Sequence, residues 1–128
     1  MRKKPGAGLR VVQVSDCHVS SVPDTDYRGV MDGSTLESLL PAILKFDPDL
    51  LLLTGDVSED ASPESYGRVS AILSSIDVPV LALPGNHDNP GVMARCFPRG
   101  PLGGPLFYAH QGWQFVMLDS SRPGEICG

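Results

Sequence analysis

Three short polar segments hold most of the side chains in this sequence that could bind a metal ion or transfer a proton. They are Ser15-Asp16-Cys17-His18, Gly55-Asp56 and Gly85-Asn86-His87-Asp88. Each segment directly follows a run of apolar residues, where a β-strand is expected to end. Carboxylate, imidazole and amide groups that converge from several strand ends are typical of a metal or catalytic site. A fold that brings the three segments together would therefore create a candidate metal centre.

Asp16 and His18 are two positions apart at the end of the first predicted strand. In extended backbone this spacing places both side chains on one side and Cys17 on the other. The pair could chelate a metal, although taken alone it is more often a strand-end turn in which both side chains cap a loop. Cys17 is predicted to be a packed thiol rather than a nucleophile.

Asp56 follows Gly55 at the end of the second predicted strand. A Gly-Asp pair at this position is a common turn, and taken alone the turn is the more frequent explanation. Asp56 has two carboxylate oxygens, however, which is enough to bridge two cations. Gly55 lacks a side chain and would let backbone and ions approach closely. The pair is therefore also suited to a dinuclear centre.

The block Gly85-Asn86-His87-Asp88 is the least random of the three segments. Asn86 offers a neutral amide oxygen to a metal, and His87 offers an imidazole. Asp88 is predicted to accept a hydrogen bond from His87 and so to fix its tautomer. A structural turn alone is a weak explanation for this block, because two other polar segments also follow predicted strands.

The apolar patterning predicts an α/β fold in which strands and helices alternate as βαβαβ and a β-hairpin follows. Strands are predicted at 9–14, 50–54 and 78–83, helices at 34–46, at 63–76 and from 90 onward, and hairpin strands at 106–109 and 113–118. Pro41 inside the first helix predicts a kink or a restart near Leu40. Trp113 and its neighbours are predicted to form the hairpin core. Because parallel strands place their carboxyl ends along one edge of a sheet, the three polar segments should converge there.

Length and composition place the chain among small globular domains. It has 128 residues, of which 41% are hydrophobic, and a net charge of −5, which disfavours nucleic acid unless bound cations intervene. Its longest apolar run, at 50–53, is far too short to cross a membrane. Three irregularly spaced cysteines indicate neither a disulfide framework nor a thiolate zinc site. The N-terminus lacks the apolar core of a secretory signal, which predicts a cytoplasmic protein.

In order and spacing, the three polar segments resemble the first three blocks of the calcineurin-like metallophosphoesterases. Flanking motifs resemble the class III cyclic-nucleotide phosphodiesterase branch of that family, namely Asp47-Pro48-Asp49, Thr54-Gly55-Asp56, Ser62-Pro63-Glu64-Ser65-Tyr66, Pro84-Gly85-Asn86-His87-Asp88, and Leu118-Asp119-Ser120 followed by Pro123-Gly124. The resemblance covers nearly the whole chain. It implies an α/β fold that is the N-terminal half of a metallophosphoesterase-type α/β/β/α sandwich.

The resemblance also implies a set of metal ligands. Asp16, His18 and Asp56 would hold one metal ion, and Asp56 would bridge to a second ion that Asn86 also binds. Nitrogen and oxygen ligands without thiolate suit two divalent or trivalent ions of iron, manganese or zinc.

The activity that the resemblance implies is metal-dependent hydrolysis of a phosphoester or phosphodiester, with a 3',5'-cyclic nucleotide as the expected substrate. A hydroxide that bridges the two metal ions would attack phosphorus in line. His87 would face the phosphate and stabilise or protonate the leaving oxygen, aided by Asp88. These two side chains are the predicted catalytic residues of a metallophosphoesterase.

The sequence departs from the family pattern at the ligands that complete the metal shells. The family uses a later histidine and a Gly-His-x-His block, and these 128 residues contain neither. His110, the remaining histidine, is predicted to be a solvent-exposed turn residue rather than a ligand. The second metal site is therefore incomplete in this chain. Residues 1–128 are interpreted as a single, apparently C-terminally truncated metallophosphoesterase domain, whose sheet would keep an uncovered face or edge.

A function from another class stays open at the level of sequence. The chain could be a catalytically silent binding module, or an inactive fragment, on the same scaffold. The predicted partner of the enzyme is a small phosphodiester, while a membrane is not expected and nucleic acid is disfavoured by charge. The oligomeric state is not predicted.

Overall fold

A parallel sheet, a layer of helices and a β-hairpin make up this computed structural model, which describes residues 8–23, 26–27, 30–31, 34–101, 104–122 and 124–126. In chain order the elements are β1 (Val11–Val14), β2 (Asp26–Tyr27), β3 (Val30–Met31), α1 (Ser34–Phe46), β4 (Leu50–Thr54), α2 (Pro63–Ile72), a 3₁₀ turn (Leu73–Ser75), β5 (Val80–Leu83), α3 (Pro90–Cys96), β6 (Leu106–His110) and β7 (Trp113–Met117). The predicted βαβαβ order and the terminal hairpin are confirmed. The small antiparallel pair formed by β2 and β3 was not predicted.

The parallel sheet has the strand order β1-β4-β5, with β4 in the middle. Val11 pairs with Leu50, and Leu51 pairs with Val80, so all three strands end at the same edge. β4 is an unbroken apolar run because both of its faces are covered, as is usual for the central strand of a parallel sheet. The sheet thus holds the loops that follow β1, β4 and β5 side by side.

The helices begin where the sequence predicts. Ser62 caps α2, and its hydroxyl accepts a hydrogen bond from the amide of Ser65. Asn89 caps α3 in the same way, and both helices have proline in their first turn. Helix α1 runs without interruption through Pro41, so the restart predicted near Leu40 does not occur.

Two apolar clusters cover the two faces of the parallel sheet. The larger cluster joins the helices to one face and includes Leu36, Ile43, Leu51, Leu53, Tyr66, Val69 and Met93. The smaller cluster joins the hairpin to the other face through Leu50, Leu81 and Met117. Helices, sheet and hairpin therefore stack in the order expected of the N-terminal half of an α/β/β/α sandwich.

The hairpin differs from the prediction in what it buries. Trp113 was predicted to be core, but it lies at the turn end of β7 and is 63% exposed. The outward face is also apolar, since the cross-strand pair Phe107 and Val116 is 60% and 51% exposed. Phe107, Val116 and Leu118 form an uncovered apolar surface, and such a surface favours association.

His110 also departs from the prediction of a solvent-exposed turn residue. It is the last residue of β6, is partly buried, and stacks on Tyr108 with ring centroids 5.9 Å apart. The neighbouring Gln111 donates a hydrogen bond to Asp49, which directly precedes β4. The hairpin turn therefore lies at the amino end of the sheet, opposite the edge where the polar segments meet. None of the helices in the described part of the chain has the length and apolar character to span a bilayer.

Candidate metal centre

Backbone hydrogen bonds continue the sheet pattern beyond the strand ends and join the predicted segments. The amide of Asp16 donates to the carbonyl of Gly55 at 3.0 Å, and that of His18 donates to the carbonyl of Asp56 at 2.9 Å. The amide of Gly55 in turn donates to the carbonyl of Leu83 at 3.0 Å. The loops after β1, β4 and β5 are therefore held together by main-chain contacts, as the parallel topology predicts.

The side chains on these loops bring several ligand atoms together. Nε2 of His18 lies 3.6 Å from Oδ2 of Asp56 and 3.7 Å from Oδ1 of Asp16. One ligand atom each from His18, Asp56 and His87 lies within 4.8 Å of the other two. His18 and Asp56 are mostly buried, with 12% and 15% of their side chains exposed, whereas Asp16 is 66% exposed. The centre thus has a shielded inner part and an open rim.

The backbone that presents these ligands is left-handed, which corrects one step of the sequence argument. Asp16, His18 and Asp56 have φ values of 56°, 46° and 45°, so the Asp16–His18 segment is not extended as predicted. The two side chains nevertheless approach each other, with Nε2 of His18 3.7 Å from Oδ1 of Asp16. Left-handed backbone costs a non-glycine residue of the order of 1 kcal/mol, and residues in this conformation cluster at functional sites.

Glycines allow Asp56 to sit where it does. Gly55 has φ of 94°, a conformation that favours glycine, and its missing side chain would point toward the backbone of Gly85. At Gly85 a Cβ atom would lie 2.1 Å from Oδ1 and 2.3 Å from the amide nitrogen of Asp56. Position 85 therefore requires glycine, because the Asp56 carboxylate occupies the space of a side chain.

The turn after β5 places His87 against the centre. Its amide donates to Oδ1 of Asp56 at 3.1 Å, and its ring meets that of His18 edge to face, with centroids 5.0 Å apart. Asn86 lies in the same turn and is exposed. The structure thus brings Asp16, His18, Asp56 and His87 together, while the role of Asn86 as a ligand stays a prediction.

Glu59 is a site residue that the sequence analysis missed. Its Oε2 lies 2.7 Å from Nδ1 of His18 and 3.3 Å from Nδ1 of His87, and its own carbonyl is 3.3 Å from the latter atom. A carboxylate in this position orients an imidazole and holds the proton on Nδ1, which leaves Nε2 as the ligand atom. The signal available in the sequence was an acid three residues after Asp56, on the same loop.

Asp88 has a different position from the one predicted. Its carboxylate accepts hydrogen bonds from the backbone amides of Val57, Ser58 and Gly85 at 3.1, 2.9 and 2.8 Å. It also accepts one from the hydroxyl of Tyr66 at 2.9 Å. The predicted role of fixing the His87 tautomer is therefore wrong for this carboxylate, and Glu59 lies where that role requires. Asp88 instead ties the loop after β5 to the loop after β4.

Tyr66 completes this connection from helix α2. Its buried hydroxyl donates to Asp88 and accepts a hydrogen bond from the amide of Asn89 at 3.0 Å. Burial first, and the Asp88 carboxylate second, raise the pKa of Tyr66 above its ordinary value, so the hydroxyl keeps its proton. The C-terminal end of the segment, at Asp88 and Asn89, is thereby fixed to helix α2.

Cys17 is the packed thiol that the sequence predicts. It contacts the core cluster on the helical face of the sheet. Burial, together with the Asp88 and Asp16 carboxylates, raises the pKa of the Cys17 thiol to about 11. The thiol is therefore protonated at neutral pH and is a poor nucleophile and a poor metal ligand.

The donor set fits a transition metal. Two imidazoles and one carboxylate within 4.8 Å of one another are the usual protein ligands of zinc, iron or manganese. Glu59 supplies the carboxylate–histidine contact that commonly supports such ligands. Asp119 takes no part in this arrangement, since its carboxylate accepts hydrogen bonds from the amide and hydroxyl of Ser121 in a local turn.

Comparison with known proteins finds a matching family model and relatives that are named as phosphodiesterases. The family model described as calcineurin-like phosphoesterase matches residues 9–121. A probable cyclic nucleotide phosphodiesterase of Synechococcus sp. is 36% identical over 120 residues, which is 94% of this chain and 47% of the relative. A 3',5'-cyclic-nucleotide phosphodiesterase of Nostoc sp. is 31% identical, covering 94% of this chain and 46% of the relative. A 3',5'-cyclic adenosine monophosphate phosphodiesterase of Pseudomonas aeruginosa is 32% identical, covering 95% and 45%. The chain spans about half the length of these curated relatives.

Proposed function

Since the chain belongs to the calcineurin-like phosphoesterase family, we propose that the protein that contains it hydrolyses a phosphodiester, with a 3',5'-cyclic nucleotide as the substrate class. The names of its relatives in Synechococcus, Nostoc and Pseudomonas support this substrate class. The supporting observation in the structure is the approach of His18 to Asp56 and Asp16 at 3.6 and 3.7 Å. A cytoplasmic location stays a prediction.

In this proposal the chain contributes part of a dinuclear metal site. Asp16, His18 and Asp56 would hold the first ion, and Asp56 and Asn86 would contribute ligands to a second. Asp16 and Asn86 are both exposed, which is consistent with ligands on the solvent side of the centre, where a substrate would enter. Bound ions supply Lewis acidity that offsets phosphoryl charge and activates water as the nucleophile.

His87 is proposed as the residue that stabilises or protonates the leaving oxygen. Its amide donates to Asp56 and its Nδ1 lies beside Glu59, and we assign Nε2 as the atom that would face the leaving oxygen. Glu59 is proposed to hold the Nδ1 proton and the ring orientation of His87 throughout the reaction. Asp88 and Tyr66 are proposed to position the loop that carries His87, without touching the substrate.

The charge of the candidate metal centre favours the binding of an anionic substrate only when cations are bound. The chain has a formal net charge of −5, and the centre contains three carboxylates, those of Asp16, Asp56 and Glu59. A phosphodiester would be repelled by this cluster in the absence of metal. Bound di- or trivalent ions would reverse the local charge, so the proposal predicts strict metal dependence.

The test is phosphodiesterase activity of the longest natural protein that contains this sequence, loaded with manganese, zinc or iron. Hydrolysis of cyclic AMP, cyclic GMP and an aryl phosphodiester is measured before and after chelation. Asp56→Asn is expected to abolish turnover. The charge-matched variant Asp77→Asn, at an exposed position shortly before β5, is expected to retain it. Metal-loaded protein that hydrolyses none of these substrates, or an Asp56→Asn variant with full activity, would overturn the proposal.

A further inference from the structure

We propose that Arg68 of helix α2 is a positioning residue for the loop after β1, which it holds through the backbone carbonyl of Ser20. This loop carries Asp16 and His18, two of the ligands named in the proposed function. The inference rests on that function for its purpose, but the contacts that carry it lie outside the ligand cluster. In this proposal Arg68 contacts neither the ions nor the substrate.

The contact joins a packed helix to the far end of the loop. Nη1 of Arg68 donates a hydrogen bond to the carbonyl oxygen of Ser20 at 2.5 Å, across 48 residues of sequence. Ser20 is 6% exposed and Arg68 is half-buried, so the bond is largely shielded from water, where a charged donor binds strongly. On α2, Arg68 is flanked by the buried residues Tyr66 and Val69, which pack the helix into the core. Ser20 in turn lies two residues after His18.

The loop after β1 needs an anchor because its backbone is strained. Asp16 and His18 have left-handed φ values of 56° and 46°, which persist only where surrounding contacts hold them. Main-chain hydrogen bonds provide such contacts as far as Val19. Its amide donates to the carbonyl of Val57 at 3.2 Å, and its own carbonyl accepts from the amide of Glu59 at 2.9 Å.

Side chains hold the loop beyond Val19. The amide of Ser21 donates to Oδ2 of Asp60 at 2.8 Å, and the carbonyl of Ser20 accepts from Arg68. Asp60 belongs to the loop after β4, so its bond joins one loop to another. Arg68 instead joins the loop to a helix of the core. We therefore assign to Arg68 the anchoring of the ligand loop against the rest of the fold.

The charge of Arg68 gives the inference a sign that can be tested. Asp16, Asp56 and Glu59 make the centre acidic, so loss of a positive charge from the protein would by itself favour the binding of a cation. Loss of the anchor has the opposite effect, because a displaced His18 no longer meets Asp56. A decrease in metal affinity on removal of Arg68 therefore reports position and not charge.

The experiment uses the longest natural protein that contains this sequence, prepared free of metal. Arg68→Met removes the donor and the charge, whereas Arg68→Lys keeps the charge but not the planar guanidinium. Arg95→Met, in the last turn of α3, is the matched control for charge. Ile76→Val, which trims a buried side chain of the core, is the control for stability. Zn²⁺ titration by calorimetry and hydrogen exchange of the His18 and Val19 amides are measured for each variant.

Arg68→Met is expected to weaken Zn²⁺ binding by about tenfold and to speed exchange of the Val19 amide by about tenfold in the metal-free protein. Arg68→Lys should show losses of about threefold. Arg95→Met and Ile76→Val should leave both quantities within about twofold of the unaltered protein.

Zn²⁺ affinity that is unchanged or increased in Arg68→Met would overturn the inference, and so would unchanged exchange of the Val19 amide. Losses no larger than those of Ile76→Val would overturn it too, because Arg68 would then act only on overall stability. If Arg68→Met does not fold, Arg68→Lys and the unaltered protein decide, since rapid exchange of the Nη protons of Arg68 with water would exclude the anchor. Failure of the unaltered protein to bind Zn²⁺ would count against the proposed function, while exchange at Val19 would still test the anchor.

Discussion

Oε2 of Glu59 lies 2.7 Å from Nδ1 of His18, and this hydrogen bond links the loop after β4 to the loop after β1 across 41 residues of sequence. The same oxygen lies 3.3 Å from Nδ1 of His87, on the loop after β5. One carboxylate therefore contacts imidazoles from both outer strands of the sheet. Glu59 is mostly buried between them, with 26% of its side chain exposed. We therefore expect Glu59 to influence metal affinity through the orientation of both imidazoles.

Glu59→Gln is the first variant that tests this arrangement. The amide keeps the size of the side chain but loses the charge that holds the proton on Nδ1, so metal affinity should fall by about 10- to 100-fold. Calorimetric titration with Zn²⁺ measures the change. Glu64→Gln removes the same charge from an exposed position in the first turn of α2 and should leave affinity unchanged. Equal affinities for the two variants would contradict the role of Glu59.

Gly85→Ala tests the close packing around Asp56. The added Cβ would lie 2.1 Å from Oδ1 of Asp56 and 2.3 Å from its amide nitrogen, so the loop or the carboxylate must move. We expect metal affinity and the free energy of unfolding to fall together, the latter by about 1–3 kcal/mol as for other overpacked sites.

The control for this variant is Gly67→Ala in helix α2, where a Cβ meets nothing within 4 Å. Alanine is the better helix former, so this change should raise the free energy of unfolding by up to about 1 kcal/mol and leave metal affinity unchanged. Urea denaturation and Zn²⁺ titration of both variants provide the comparison. A Gly85→Ala variant that matched Gly67→Ala in both measurements would rule out the steric argument.

The sequence was sufficient for features that depend on local patterns. The apolar run of β4 and the caps Ser62 and Asn89 lie where propensity and turn chemistry predict them, because each depends on a few neighbouring residues. The convergence of the three polar segments was also predictable, since parallel strands fix which loops share an edge. His18 and Asp56 follow directly from that rule.

Features that depend on contacts between distant residues were not predictable in the same way. Asp88 was expected to contact its neighbour His87, but its carboxylate reaches back to the amides of Val57 and Ser58, about 30 residues earlier in the chain. Glu59 was missed because its contacts are to His18 and His87, which are 41 and 28 residues away in sequence. Trp113 was predicted to be buried because it is hydrophobic, but the structure leaves it exposed. Hydrophobicity alone does not show which residues of a hairpin strand lie against the neighbouring sheet.

Tyr66→Phe tests whether the connection between α2 and the loop after β5 stabilises the site. The variant removes a buried hydroxyl that donates to Asp88 and accepts from the amide of Asn89, so both partners lose a hydrogen bond. The free energy of unfolding should fall by about 1–3 kcal/mol. Urea denaturation gives this value, and Tyr108→Phe on the hairpin is the matched control, with a smaller expected loss. If the two variants were equally stable, the hydroxyl of Tyr66 would have no special role.

Asp60→Asn tests the pH dependence of the loop between β4 and α2. Burial opposes the charge of Asp60, but hydrogen bonds from Ser62 and Ser21 outweigh it and hold the pKa of this carboxyl well below its ordinary value of 3.8. Because the pKa is lower in the folded chain, the unfolded chain takes up the proton first. Asp60 therefore stabilises the fold above pH 3.8, and this contribution is lost as the pH falls toward the lowered value.

Asp60→Asn should accordingly reduce the free energy of unfolding most at about pH 7, and the difference from the unaltered chain should shrink steadily below about pH 4. Urea denaturation at a series of pH values measures this difference. Asp77→Asn, at an exposed position before β5, removes the same charge and should show a smaller difference at neutral pH. A loss of stability in Asp60→Asn that stayed constant down to about pH 3 would mean that hydrogen-bond geometry, and not the charge of Asp60, provides the stabilisation.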